Sequence, residues 1–171
     1  MKIIKMISPF LDTNCYLIIN NNKALVIDPC VDYKILVKKH NVVINAVLLT
    51  HGHIDHFYKI NTFLNKGITF YLHKDTIIKL DDANKNCSAF IGEETIVDIS
   101  KENIVKIYDS FKFEINDLNI KTNATPGHTN DSVSFVVGNN LFSGDALFKG
   151  SVGRVDLPTS NQLSMTNTIQ I

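Results

Sequence analysis

Thr50-His51-Gly52-His53-Ile54-Asp55-His56 places four potential metal ligands within six residues. Three histidines and an aspartate so close together would repel one another on protonation unless a cation held the rings neutral, so the density itself points to metal binding. Gly52 is expected to permit the sharp backbone turn that lets the ligands converge. If the stretch is extended, His51 and His53 project alike, whereas Asp55 and His56 begin a helix and turn elsewhere. The spacing therefore allows two neighbouring metal sites.

The flanking sequence places this stretch in a strand-to-helix loop. Val42 to Leu49 is apolar apart from Asn45 and reads as a buried strand ending at Thr50. From Asp55, the residues Phe57, Ile60, Phe63 and Leu64 share one helical face, and Gly67 is placed to end that helix. Upstream, Lys2–Ile7, Asn14–Ile19 and Ala24–Asp28 are short, β-branched and separated by Ser8-Pro9 and Asn20-Asn21-Asn22, which predicts an antiparallel meander. Asp32 can cap a helix running to His40.

Downstream, a strand near Thr69–Leu72, a helix over Lys74–Leu80 and a polar loop through Asn86 are followed by a second strand set. That set comprises Phe111–Ile115, Leu118–Thr122, Ser132–Val137 and Asn140–Ser143, and residues 161–171 read as the opening of a helix. Two strand groups with helices outside them predict an α+β fold: a four-layer αββα sandwich of two mixed sheets, in one domain over residues 1–171.

Two further ligand candidates follow strands: His128 in Thr125-Pro126-Gly127-His128-Thr129, and Asp145 in Phe142-Ser143-Gly144-Asp145-Ala146. Together with Thr50–His56, these segments resemble the metallo-β-lactamase superfamily, whose THxHxDH signature is matched at every defined position. The resemblance implies that His51, His53 and His128 bind one metal, Asp55 and His56 a second, and that Asp145 bridges them. It further implies zinc, one or two per chain, with iron or manganese tolerated by the same ligands. Asp28, at the end of Ala24-Leu25-Val26-Ile27-Asp28-Pro29, is similar to a family aspartate that accepts a hydrogen bond beneath the metal loop.

Leu147-Phe148-Lys149-Gly150-Ser151-Val152-Gly153-Arg154-Val155-Asp156 resembles the segment after the bridging aspartate in small glyoxalase II-like hydrolases. The implied activity is hydrolysis of thioesters such as hydroxyacylglutathione by metal-activated water, with Asp55 orienting or deprotonating that water. Lys149 and Arg154 would then meet substrate carboxylates, or pair with Asp156 instead. Full-length relatives carry one more His on a late strand, and none follows His128 in this sequence. The family's last strand and helix are therefore expected to be missing, weakening the second metal and exposing apolar surface that favours homo-oligomers. Alternatives within this resemblance are an iron-dependent persulfide dioxygenase on His51, His128 and Asp145, a nuclease, and an inactive metal-binding fragment.

Seventeen basic residues balance seventeen acidic ones, which argues against a nucleic-acid or anionic membrane partner. The N-terminus meets Pro9 and Asp12 too soon for a signal peptide, so a cytoplasmic chain acting on a small molecule is expected. Cys15, Cys30 and Cys87 show no paired metal spacing and read as buried thiols, while His40 and His73 follow no ligand pattern.

Overall fold

The opening meander forms as its pattern predicts, with β1 (Lys2–Ile7), β2 (Asn14–Asn20) and β3 (Lys23–Ile27) pairing antiparallel. The β2–β3 link is a two-residue turn in which Asn21 and Asn22 both have positive φ, 48° and 62°, a conformation that asparagine tolerates. α1 (Tyr33–His40) starts where the Asp32 side chain accepts from the Lys34 amide at 2.8 Å and stops at the left-handed Asn41. The chain then returns as β4 (Val43–Leu48), parallel to β3. This computed structural model describes residues 1–170.

After β4 the chain enters α2 (Ile54–Phe57), which is shorter than the amphipathic pattern suggested. The Lys59 amide bonds the Pro29 carbonyl at 3.0 Å instead of continuing the helix, and Ile60–Phe63 form a separate 3-10 turn. Phe57, Ile60 and Phe63 are buried all the same, because the break preserves the face they share. β5 (Thr69–His73), α3 (Lys74–Leu80) and β6 (Asn103–Ile107) complete a mixed sheet of order β1-β2-β3-β4-β5-β6. β6 was not anticipated: it is a short edge strand that buries fully only Ile107.

β7 (Lys112–Ile115), β8 (Leu118–Ala124), β9 (Val133–Val137) and β10 (Asn140–Phe142) form the second sheet. Both sheets were expected to be mixed, but among the described strands this one is antiparallel throughout. The reason lies in its links, since Asn116-Asp117 and Gly138-Asn139 are two-residue hairpins and a parallel pair needs a long crossover. α4 (Gln162–Ile169) is capped by Asn161, whose side chain accepts from the Ser164 amide at 2.8 Å. It falls within the helix expected over 161–171, of which residue 171 lies outside the described residues.

Strand alternation divides the core into two. Ala24, Val26, Val47 and Leu49 face the helical layer with Leu36, Phe63 and Leu80, while Leu25, Ile27, Ala46 and Leu48 face the second sheet and meet Val133, Phe135 and Val137. Each fully buried Leu, Ile or Phe contributes about 1.5–3 kcal/mol. The double layer holds the ends of β3, β4, β8 and β10 at one rim, and every ligand candidate lies in the segments that follow those ends. The two sheets are also tied together there, by the Val133 amide bonding the Thr50 carbonyl at 2.8 Å.

Candidate metal centre

The metal loop is fixed from beneath by Asp28, whose backbone sits in the left-handed region at φ 56°. One Asp28 carboxylate oxygen accepts from the Thr50 amide at 2.8 Å, and the other accepts from the Thr50 hydroxyl at 2.9 Å and from His56 Nδ1 at 2.8 Å. Since the single Thr50 hydroxyl hydrogen goes to Asp28, its oxygen can only accept from His51 Nδ1, 3.1 Å away. His51 and His56 therefore both carry hydrogen on Nδ1, which leaves the Nε2 lone pair of each free to bind a cation.

His128 is set in the same way from a different element. Its Nδ1 donates to the Arg154 carbonyl at 2.8 Å, and its own carbonyl accepts from the Ser160 hydroxyl at 2.6 Å. Its Nε2 comes within 3.0 Å of His53 Nδ1 and 3.5 Å of Asp145 Oδ2, while the other Asp145 oxygen lies 3.1 Å from His56 Nε2. Asp145 thus turns one oxygen to each half of the cluster.

Two overlapping groups result, His51-His53-His128 and His51-His56-Asp145, each with ligand atoms all within 4.8 Å of one another. The Nε2 atoms of His51, His53 and His56 are buried and have no hydrogen-bond partner among the described residues. Three orphaned buried nitrogens would each cost about 1–3 kcal/mol, so this donor set fits a metal ion far better than a polar core. Asp55 belongs to neither group, although its Oδ2 lies 3.4 Å from His56 Nε2. That oxygen accepts from the Thr13 hydroxyl at 2.6 Å.

Electrostatics separates the two groups. Burial, reinforced by the neighbouring rings, holds His51 well below the ordinary imidazole pKa and His53 at about 3, so both are neutral ligands near pH 7. Burial opposes charge on His56 as well, but there Asp55, Asp28 and Asp145 overcome it and raise the pKa. Asp145 is held below its usual value despite burial, chiefly by the neighbouring His56 ring.

Three supporting residues were missed by sequence reading. Asp131 is buried and accepts from the Gly52 amide at 2.9 Å and from the Thr76 hydroxyl at 2.6 Å, and it pairs with the buried ammonium of Lys79. Gly52 does not make a sharp turn; a β-carbon there would come within 2.8 Å of Lys79 Cβ, so its role is close approach to α3. Gly153 is required for a similar reason, since a β-carbon would lie 2.0 Å from the Asp145 carbonyl oxygen and 3.0 Å from the His128 ring. Asp131, Lys79 and Gly153 fall in no recognisable ligand pattern, and Lys79 and Asp131 meet across 52 positions.

Residues 8–170 match the profile of the Metallo-beta-lactamase superfamily. The chain belongs to that superfamily. It is 30% identical over 165 residues to the "Probable metallo-hydrolase YqgX" of Bacillus subtilis, covering 93% of this chain and 77% of that protein. It is 32% identical over 149 residues to "Hydroxyacylglutathione hydrolase 1" of Vibrio vulnificus, covering 85% of this chain and 51% of that one. Among solved structures, the "BLEG-1 B3 metallo-beta-lactamase" superposes with a TM-score of 0.89 at 28% identity, over 99% of this chain and 84% of the other.

The remaining sequence candidates fall into place around this centre. Arg154 is exposed and its guanidinium makes two 2.7 Å bonds to Asp156, while Lys149 is exposed beside the His56 half of the cluster. Cys15 and Cys30 are buried and Cys87 is half-buried. His73 caps α3, its Nδ1 accepting from the Asp75 amide at 3.3 Å. Among the described residues no helix is long and apolar enough to cross a membrane.

Proposed function

We propose that this chain is a metal-dependent hydrolase of thioesters, working on one or two zinc ions, with iron or manganese able to occupy the same ligands. The observation that carries the reading is the set of buried imidazole nitrogens of His51, His53 and His56, unpartnered and converging with His128 and Asp145. Its superfamily membership and its similarity to proteins named as hydrolases support the same reading.

A bound metal supplies Lewis-acid polarisation of the carbonyl and brings the pKa of water to about 7. The chain does the rest. Asp28 and Thr50 hold His51 and His56 in the ligating tautomer, and the Arg154 carbonyl does the same for His128. Thr13 orients Asp55, whose carboxylate is partly open to the adjoining cavity and is the group we assign to position the water and accept its proton. A thiol of pKa about 8.5 leaves readily, so no strong general acid is required. Lys149 lines the same cavity and is placed to meet an anionic part of the substrate.

Elemental analysis of the purified chain, combined with cleavage of S-lactoylglutathione and acetyl-coenzyme A before and after chelation, tests the proposal. Bound metal with chelator-sensitive release of thiol is the expected result. Oxygen uptake with glutathione persulfide by an iron-loaded sample, in place of thioester cleavage, would overturn it.

A further inference from the structure

Two cavities meet at the ligand cluster, and their walls differ in kind. One, of about 420 Å³, opens over His53 and His128 and is walled by Leu11, Phe90, Ile91, Phe148 and Leu157. The other, of about 480 Å³, opens over His56 and Asp28 and has a mainly polar wall that includes Asp12, Asn14, Tyr16, Ser143 and Lys149, with Leu141 and Leu147 also in its lining. Leu11 and Phe148, together with Asp55 and Asp145, belong to both, so a ligand lying across the cluster would have one end in each.

The apolar walls are not explained by packing. Phe90 is 65% exposed, Leu11 63% and Phe148 44%, yet all three line this cavity, and clustered exposed apolar side chains mark a place that something else covers. The only cation on that side, among the described residues, is Arg154, which is already held by Asp156. A charged group placed there would lose hydration without a free partner, which is costly. Lys149, by contrast, lines the polar cavity.

Resting on the hydrolase reading above, we propose that the substrate is a thioester with an apolar acyl group. That group sits in the cavity over His53 and His128, and the polar thiol carrier lies in the cavity containing Lys149. Biological carrier thiols bear carboxylates, phosphates or amides, so the acyl group is the half that can be apolar. In the reaction, water adds its oxygen to the carbonyl carbon, the carbon–sulfur bond breaks, and the thiolate takes up a proton, giving a carboxylic acid and a free thiol. A short hydroxyacyl group would leave most of the apolar cavity unused.

The metal-loaded protein is assayed with one carrier and a varied acyl group, using the acetyl, lactoyl, butyryl and hexanoyl thioesters of glutathione. kcat/KM is expected to rise about tenfold from acetyl to hexanoyl, the change given by about two fully buried methylenes. Phe90→Ala and Phe148→Ala are expected to flatten that rise, and Ile35→Ser, at an equally exposed apolar residue on α1, to leave it intact. A flat series, a preference for lactoyl, or an unchanged slope in Phe90→Ala would overturn the proposal while leaving the hydrolase reading in place.

Failure to cleave any of the thioesters would instead count against the hydrolase reading. The seating is then decided by calorimetry with the inert thioethers S-hexylglutathione and S-methylglutathione. Roughly tenfold tighter binding of the hexyl compound, lost in Phe90→Ala, supports it, and equal binding overturns it.

Discussion

The two ligand groups share His51, yet they are built from opposite materials. The His51-His53-His128 group is three buried imidazoles, of which burial keeps His51 and His53 neutral, and they are aimed by a hydroxyl, a carbonyl and the loop itself. The His56 side is ringed by Asp28, Asp55 and Asp145, the last about a quarter exposed, and opens into a cavity of about 480 Å³. A preformed set of buried nitrogens is suited to hold a metal strongly, whereas a carboxylate-rich set is suited to position water and a polar part of the substrate. The difference teaches that retention and reactivity can be divided between two halves of one cluster.

The harshest way to break this comparison is to remove a ligand of the buried group. His128→Ala is expected to abolish metal retention after dialysis and to lower kcat/KM on the order of 1,000-fold, the equivalent of several kcal/mol of lost transition-state stabilisation. Steady-state kinetics with elemental analysis checks this, and His56→Ala should keep the first metal while losing activity.

Next in size is the Lys79–Asp131 pair beneath Gly52. Lys79→Met leaves Asp131 buried and uncompensated and should destabilise the metal-free protein by about 3–5 kcal/mol in urea unfolding. Replacing both, as Lys79→Met with Asp131→Leu, should recover much of that stability but not the Gly52 anchor, so metal affinity stays reduced. The pH dependence follows from the sign of the shift. Burial works to raise the Asp131 pKa, but Lys79 and its neighbours prevail and lower it. Its contribution is therefore present above the ordinary value of 3.8 and is lost as pH falls through the depressed folded value, so the stability gap between the parent and Asp131→Asn should close in acid.

Asp28→Asn should cost about 10–100-fold in metal affinity by chelator competition, since it removes the carboxylate that sets both His56 and, through Thr50, His51. The smallest effect is expected at Arg154. Its guanidinium forms an exposed pair with Asp156 and only its backbone carbonyl touches His128, so Arg154→Ala should leave metal content and urea midpoint unchanged within error.

Much of this cluster was legible because ligands gathered by local spacing announce themselves: Thr50–His56 carries its density on its face, and His128 and Asp145 follow recognisable strands. The strands of the meander were legible because β-branched alternation and Asn-rich turns are local properties. What escaped depends on pairs distant in sequence. The helix after Asp55 breaks because Pro29 captures the Lys59 amide, and Gly52 is glycine because of Lys79 on α3. For Arg154 the sequence left two readings open, a substrate contact or a pair with Asp156, and its guanidinium makes that pair. The uneven character of the two groups was hidden too, since the orphaned nitrogens and the Thr50 relay exist only in three dimensions.

The most direct test of the central claim is a zinc titration of chelated protein, followed by the ring-nitrogen resonances of the histidines. The first equivalent should move His51, His53 and His128 together, with His56 responding further at higher zinc. Movement of His56 first, or no movement of any ring, would contradict the assignment of the buried imidazole group as the metal-retaining half of the centre.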